Sequence, residues 1–387
     1  MKKIKVLFSI DSLNAGGAEK VLINVIKNLD RSKFKISVCT VFNQGYYLGF
    51  LPNDVHYDSL FNVSNQFGVI SKLIRYLSLA MYSIFPFLLI KSQRLKNDHD
   101  MIISFCEGYN TIFFQNTSTN LSKSKKFLSW VHIDFRKHKP IPFLTKLYAS
   151  FKSYDEVVFV SNDARSGFVE TINNNDHTHV LYNPIDWEEV LSQSKNSVSL
   201  PSIMKDSTDK LKLIAVGRLQ YQKRFDRLID AMSILKSKGY SFTLNILGEG
   251  DLGGDLIEKI KSKSLENDCL LRGFQSNVPA WIQASDIFVM SSDYEGLPLV
   301  ICEAMILSKP IVSTDITGPR ELLNNGEFGL LCDINTESLA QVIESFMKDE
   351  LLRIRYQSKL SENKEKFIFK KNIADIQQFI IDNHERL

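Results

Sequence analysis

Cysteine is sparse: five in 387 residues, at Cys39, Cys106, Cys269, Cys302 and Cys332, each alone in an apolar context. No two have metal-ligand spacing, which argues against a zinc module and points to reduced, buried thiols in a cytosolic protein. Long apolar runs are also missing. The most apolar segment, 73–91, has an uncharged part from Tyr76 to Ile90 that is interrupted by Pro86, whereas a membrane-spanning helix needs about 20 residues; a buried or interface-lying helix is expected instead, a core helix first. The opening MKKIKVLFSI puts charge before an apolar run that soon meets Asp11 without a small-residue cleavage site, so it reads as a first strand rather than a targeting segment. No repeat of 20–50 residues appears, which argues against a solenoid. A dinucleotide fold would need a third glycine after Gly16-Gly17 and an acidic residue ending the second strand. That strand ends CTVFNQG, and both absences count against an oxidoreductase.

What is present is an ordinary soluble composition, 44% hydrophobic and 24% charged, in a chain too long for one core. The net charge of +3 is uneven. Residues 1–150 hold 20 Lys and Arg against 9 Asp and Glu, and the remaining 237 hold 27 against 35. A basic first half suits an anionic partner, nucleic acid or a membrane surface, or else is a solvated face.

Near-continuous apolar runs alternate with helical patterns. They fall at 3–10, 34–41, 101–106, 127–132, 156–161 and 178–183, then at 211–217, 242–248, 269–274, 286–292, 310–315 and 328–333. Such runs suit parallel strands covered on both faces, linked by right-handed helical crossovers. The fold expected is α/β, two doubly wound Rossmann-like domains. The stretch 191–210, rich in Ser and Lys, reads as a linker. It separates a first domain, 1–190, from a second, 211–370.

Three stretches carry chemistry. Gly16-Gly17-Ala18-Glu19 follows the first strand and opens a helix, where glycine permits close backbone approach and new helix N–H groups favour an anion; a plain strand-to-helix turn would read the same way. VGRLQYQK places Arg218 and Lys223 after the first strand of the second half. Ligands of doubly wound folds bind beyond the carboxyl ends of strands, and two fixed cations there suit a diphosphate. SSDYEGLPLVICEAM puts Glu295 and Gly296 in a loop, Pro298 near a helix start, and Glu303 on that helix, with the N–H groups of Leu299 and Val300 available to phosphate oxygens. A D-x-D pattern at Asp98-His99-Asp100 precedes a strand rather than following one and is not taken as a metal site.

EGLPLVICE resembles the E-x7-E motif of the GT4 family of retaining glycosyltransferases, which have the GT-B fold. Agreement extends along most of the chain: GGAE at 16–19, WVHID at 130–134, VSNDAR at 160–165, NPID at 183–186, VGRL with Lys223, LGEG at 247–250 and LRGF at 271–274. The resemblance implies two domains facing a central cleft, the second binding the donor and the first the acceptor, with a terminal helix, 371–387, crossing back to the first. It also implies roles. Arg218 and Lys223 hold the donor diphosphate and stabilise the leaving group. Glu303 meets the ribose and Glu295 the transferred sugar. Gly16 and Gly17 admit phosphates and acceptor, while Gly273 and its neighbours read the base through the main chain. Gly296, Leu297, Leu299 and Val300 complete the donor site. His132 lies near the transferred sugar, with Asp134 orienting it or meeting the acceptor.

Neither a metal nor a cofactor is implied, only a UDP- or GDP-sugar donor. The resemblance implies a glycan or lipid-linked acceptor of bacterial capsule, O-antigen or similar polysaccharide synthesis. The segment 135–152 mixes basic and aromatic residues, which suits anionic headgroups. Arg136, Lys137 and Lys139 are therefore acceptor or membrane candidates in a cytoplasmic, peripherally attached enzyme that binds no nucleic acid. The alternatives are a nucleotide-sugar epimerase, whose extra acidic and histidine groups in the first domain are not evident in the sequence, and a non-catalytic carbohydrate-binding protein, against which the intact Arg218, Lys223, Glu295 and Glu303 argue.

Overall fold

The computed structural model describes residues 2–61, 99–112, 125–137, 147, 149–172, 176–196, 210–367 and 372–386. The apolar segment 76–90 lies outside these, as does the linker from residue 197 to 209. The chain divides into two compact units, Met1–Pro184 with Lys371–Leu387, and Ile185–Lys370. The division thus falls before the stretch expected as a linker, and residues 185–190 belong to the second unit.

In the first unit, β1 (Ile4–Ile10) leads to α1 (Gly17–Asn28), followed by β2 (Phe34–Phe42), β3 (His56–Phe61), β4 (Met101–Phe105), β5 (Lys126–Val131), β6 (Glu156–Phe159), α2 (Asn162–Ile172) and β7 (Thr178–Val180). The sheet order is β3-β2-β1-β4-β5-β6-β7, and every pairing is parallel. All five residues of β4 are buried, as a strand covered on both faces requires. Helix α1 buries Val21, Leu22, Val25 and Ile26, the i, i+4 stripe of an amphipathic helix.

The second unit runs α3 (Trp187–Ser194), β8 (Leu211–Val216), α4 (Phe225–Ser237), β9 (Phe242–Leu247), α5 (Gly253–Ser262), β10 (Cys269–Leu271), α6 (Val278–Gln283), β11 (Ile287–Met290), α7 (Leu299–Ile306), β12 (Ile311–Thr314), α8 (Pro319–Leu322), β13 (Leu330–Cys332), α9 (Thr336–Lys348) and α10 (Glu350–Glu362). Its sheet order, β10-β9-β8-β11-β12-β13, is again parallel. Leu213, Leu244, Ile246 and Val289 pack with Leu228 and Met232 of α4 and with Leu339, Ile343 and Phe346 of α9 in one apolar core.

The last helix, α11 (Asn372–Glu385), belongs to the first unit. Ile376 and Ile380, four apart on one face, are buried. The Asp30 amide donates to Gln377 Oε1 at 3.0 Å, and Phe379 meets the His179 ring edge-on.

Both sheets reverse their strand order once, between β1 and β4 in the first and between β8 and β11 in the second. At such a point adjacent loops diverge and leave a crevice at the strands' carboxyl ends. The loop bearing Gly16 and Gly17 follows β1, and the loops bearing Arg218 and Glu295 follow β8 and β11.

Candidate active site

In the second unit, the chain leaves β8 through Gly217, whose amide donates to the Leu247 carbonyl at 2.9 Å. A 3-10 turn at Tyr221–Lys223 and a left-handed Arg224, φ 49° and ψ 42°, then start α4. The turn brings Lys223 back over Gly217: a Cβ there would lie 2.9 Å from Lys223 Cε. Lys223 Nζ meets Glu295 Oε1 at 2.5 Å, and Ser292 Oγ donates to the same oxygen at 2.6 Å. Arg218 is exposed and has no ion pair among the described residues. The two cations expected together therefore differ: one is locked to a carboxylate, the other is open to a ligand.

The loop carrying Glu295 is braced from α4. Arg227, buried, donates through Nη1 to the Ser291 carbonyl at 3.0 Å and through Nη2 to Asp293 Oδ1 at 2.5 Å. Arg224 Nη1 donates to Asp293 Oδ2 at 3.0 Å, and Gln222 Nε2 to the Tyr294 carbonyl at 2.8 Å. From β12, Thr314 Oγ1 donates to the Ser292 carbonyl at 2.6 Å. These supports were not found from sequence. Their signal is modest, an Arg-x-x-Arg on the helix after the cations and an Asp two residues before Glu295.

Helix α7 begins after Pro298, and among the described residues no side chain caps it. Its amino terminus therefore retains the partial positive charge that favours an anion. Leu297 and Leu299 are buried, so only their main chain is suited to meet a ligand, and Glu303 is buried one turn further in. Gly318, at φ 78°, packs directly on the Gly296 main chain: a Cβ on it would lie 2.0 Å from the Gly296 carbonyl oxygen. Gly273, at φ 66°, accepts the Gly248 amide at 2.8 Å.

In the first unit, Gly16 precedes α1 and the Glu19 carboxylate folds back on it; a Cβ on Gly16 would lie 2.2 Å from Glu19 Oε2. In front of Gly17, nothing described comes within 4 Å of where a Cβ would stand. His132 follows β5. Its amide donates to Glu107 Oε2 at 2.7 Å, and its ring lies 5.1 Å from that of Phe105. Its Nε2 is buried with no hydrogen-bond partner among the described residues, and loss of solvation holds its pKa down at about 3. The imidazole is thus neutral at physiological pH. Glu107 follows β4 and Asp11 follows β1, and Asp11 accepts the amides of Asn110 at 2.8 Å and Tyr109 at 3.2 Å. An acidic group beside the histidine is therefore present after all, although no motif announced it.

One expectation is corrected. Asp134 does not orient His132: it is buried and held bidentately by Arg136, Nε to Oδ1 at 3.0 Å and Nη2 to Oδ2 at 3.0 Å. Gly167 makes room for it, since a Cβ there would lie 2.3 Å from Asp134 Oδ1. Arg136 is exposed, and besides this pair it donates to the Asp163 carbonyl at 3.1 Å. The side chain of Lys137 and all of Lys139 lie outside the described residues. At the amino end of β4, Asp100 Oδ2 accepts the Lys5 amide at 2.8 Å, and among the described residues no group of three ligating side chains could hold a metal.

Known proteins resemble this arrangement. Residues 200–367 match the family model of glycosyl transferases group 1. An N-acetylgalactosaminyltransferase of Campylobacter jejuni, whose acceptor is a diphospho-undecaprenol-linked sugar, is 32% identical over 52% of this chain, and the match spans about half, 53%, of that relative. An uncharacterized glycosyltransferase of Methanocaldococcus jannaschii is 28% identical over 69% of this chain and 75% of its own length. Among solved structures, Anabaena HepE in complex with UDP and glucose superposes with a TM-score of 0.75 at 20% identity, covering 99% of this chain and 100% of its own. The lipopolysaccharide glycosyltransferase WaaG gives 0.74 at 12% identity, covering 97% and 99%. Residues 200–367 thus resemble the group 1 glycosyl transferases, and the chain has the GT-B fold.

Proposed function

We propose that this chain is a retaining, metal-independent glycosyltransferase of the GT4 type, moving a hexose from a UDP- or GDP-sugar to a glycan or lipid-linked acceptor in bacterial surface polysaccharide synthesis. The observation that carries the reading is the convergence at the β8–β11 switch point of Arg218, the Lys223–Glu295 pair and the uncapped start of α7. Arg218 and Lys223 neutralise the diphosphate as charge develops on it, with the α7 amides adding their dipoles. Glu295 holds Lys223 in place and offers its carboxylate to sugar hydroxyls. Glu303 takes the ribose. Cations fixed in advance stabilise a departing anion without reorganising at the moment of bond cleavage. The names of relatives support both partners: one set of HepE crystals contains UDP-glucose, and the Campylobacter relative extends a lipid-linked sugar. Peripheral attachment to the inner membrane face belongs to the same reading.

The test is a panel of UDP- and GDP-sugars offered with octyl glycosides as acceptors, following UDP or GDP release, with and without EDTA. Acceptor-dependent release that survives EDTA is expected. Failure of every nucleotide both to bind and to turn over would sink the reading. Loss with EDTA, restored by Mg²⁺ or Mn²⁺, would replace the cation mechanism with a metal-bridged one. Isomerised donor without transfer would make the protein an epimerase.

A further inference from the structure

In the second unit, the turn after β8 and the loop after β11 are stitched into one piece. The Asp293 amide donates to the Gln222 carbonyl at 2.9 Å, and Ser291 Oγ donates to the Lys223 carbonyl at 2.8 Å. Gln222 Nε2 reaches back to the Tyr294 carbonyl at 2.8 Å. The Asp293 side chain closes the stitch, because its two oxygens accept from two arginines: Oδ1 from Arg227 Nη2 at 2.5 Å, Oδ2 from Arg224 Nη1 at 3.0 Å. Both arginines need it. The Arg227 side chain is only 5% exposed, and a guanidinium so buried requires a paired, hydrogen-bonded carboxylate. Arg224 stands at φ 49°. For a residue with a Cβ this is strained, and it persists only where the surroundings impose it. They do so from two sides: Asp226 accepts Arg224 Nε and Nη2 at 3.0 Å each, and Asp293 accepts Nη1. This left-handed residue bends the chain into α4 directly after Lys223, and Asp293 lies two residues before Glu295. One carboxylate therefore sets both partners of the Lys223–Glu295 pair, the lysine through the Arg224 bend and the glutamate through its own loop.

We propose that Asp293 is a positioning residue of the transferase, fixing the reach of Lys223 toward the leaving diphosphate through Arg224 and Arg227. This rests on the transferase reading above. Charge grows on the diphosphate as it departs, and a cation stabilises it best when held in place beforehand. A misplacement of about 1 Å costs up to about 100-fold in rate. Loosening the clamp should thus lower kcat while donor binding in the ground state stays nearly intact.

The test is a double-mutant cycle on transfer, with the donor found in the panel and an octyl glycoside, run below the Tm of every variant. Asp293→Asn keeps the shape and an oxygen for Arg227 but removes the charge that two guanidinium groups share. Its kcat should fall on the order of 10- to 100-fold, with donor KM, and UDP or GDP affinity by calorimetry, within about threefold. The loss should disappear where Lys223 is already gone: added to Lys223→Ala, Asp293→Asn should cost no more than about twofold further. Added to Arg218→Ala it should cost its full factor, because Arg218 precedes the clamped turn. Arg224→Gly carries the test should Asp293→Asn not fold. Glycine takes φ 49° without strain, so the bend survives while one arm of the clamp is lost, and a smaller fall in kcat with the same dependence on Lys223 is expected. A kcat within about threefold of wild type in Asp293→Asn, or an unchanged kcat in Arg224→Gly where that variant stands in, overturns the proposal. Losses that multiply with Lys223→Ala also overturn it and leave Asp293 a brace of the fold alone, as does a raised donor KM at unchanged kcat. A wild type that binds nucleotide yet transfers to nothing tells against the transferase reading instead, and the proposal falls with it.

Discussion

Arg218 and Lys223 carry the same charge but stand differently, and their removal should show it. Lys223→Ala strips a nearly buried Glu295 of its 2.5 Å partner, a change that costs about 3 kcal/mol when a buried pair is broken. It should lower both Tm and turnover. Arg218→Ala removes an exposed side chain, so stability should stay within about 0.5 kcal/mol. On the proposed function its kcat/KM should nonetheless fall on the order of 100-fold, because the missing charge would face the leaving group in the transition state. Turnover unchanged in Arg218→Ala would remove that residue from the site. The pair Glu107 and His132 makes a second, opposite set of expectations. Glu107 has its pKa raised from 4.5 to about 7, so the folded state holds that proton more tightly and stability drains away as pH climbs from 4.5 through 7. His132 has its pKa lowered from 6.5 to about 3, so its contribution is present above 6.5 and lost as pH falls toward 3. Melting curves across pH 4–8 should therefore flatten on the alkaline side in Glu107→Gln and on the acid side in His132→Gln. The reverse assignment of limbs would refute this account.

At the scale of elements, twelve of the strands announced themselves as apolar runs, because a parallel strand covered on both faces has no polar alternation to blur it. β3 did not. Its sequence HYDSLF lies at the sheet edge and is only partly buried, so it carries little of that pattern. The places of Arg218, Lys223 and Glu295 were equally legible, since they lie on the loops of two strands that the βα alternation already implied. Glu107 was not, because its neighbours come from far along the chain: Asp11, which clamps its loop, is 99 residues from Asn110. Only the crossover that sets β4 beside β1 brings them together. Glycines at strand ends were visible in sequence, but their necessity is geometric. Gly248 ends β9 at φ 134°, and a Cβ there would fall 1.9 Å from the Gly217 carbonyl oxygen. Gly248→Ala should cost more than about 1 kcal/mol and push the Gly217 turn, with Lys223, off its register. Both Tm and donor turnover should drop; a variant as stable and active as wild type would show that this strand end is not tightly coupled to the turn.

The whole molecule carries its charge unevenly, and the proposed membrane attachment rests on that imbalance. The first 150 residues hold 20 basic and 9 acidic residues, and among the described residues no helix is long and apolar enough to cross a bilayer. The attachment expected has an electrostatic part and a hydrophobic one, and in the first each Lys or Arg near an anionic surface contributes about 1 kcal/mol. That attraction is screened over a Debye length of about 10 Å at 0.1 M salt. Arg136 is exposed but also holds buried Asp134, so reversing its charge would test stability as much as docking. Lys137 and Lys139 are reversed instead. Wild-type protein should sediment with phosphatidylglycerol vesicles at low salt, stay in solution with phosphatidylcholine alone, and leave the anionic vesicles as salt rises. Lys137→Glu with Lys139→Glu should reduce the bound fraction without weakening nucleotide binding, since Arg218, Lys223 and Glu295 belong to the other unit. Equal sedimentation of the double variant would exclude this pair as the docking surface. If wild type ignores anionic vesicles altogether, the basic first half either serves an anionic acceptor, where the same double variant should raise the acceptor KM, or is a solvated face, where it should not.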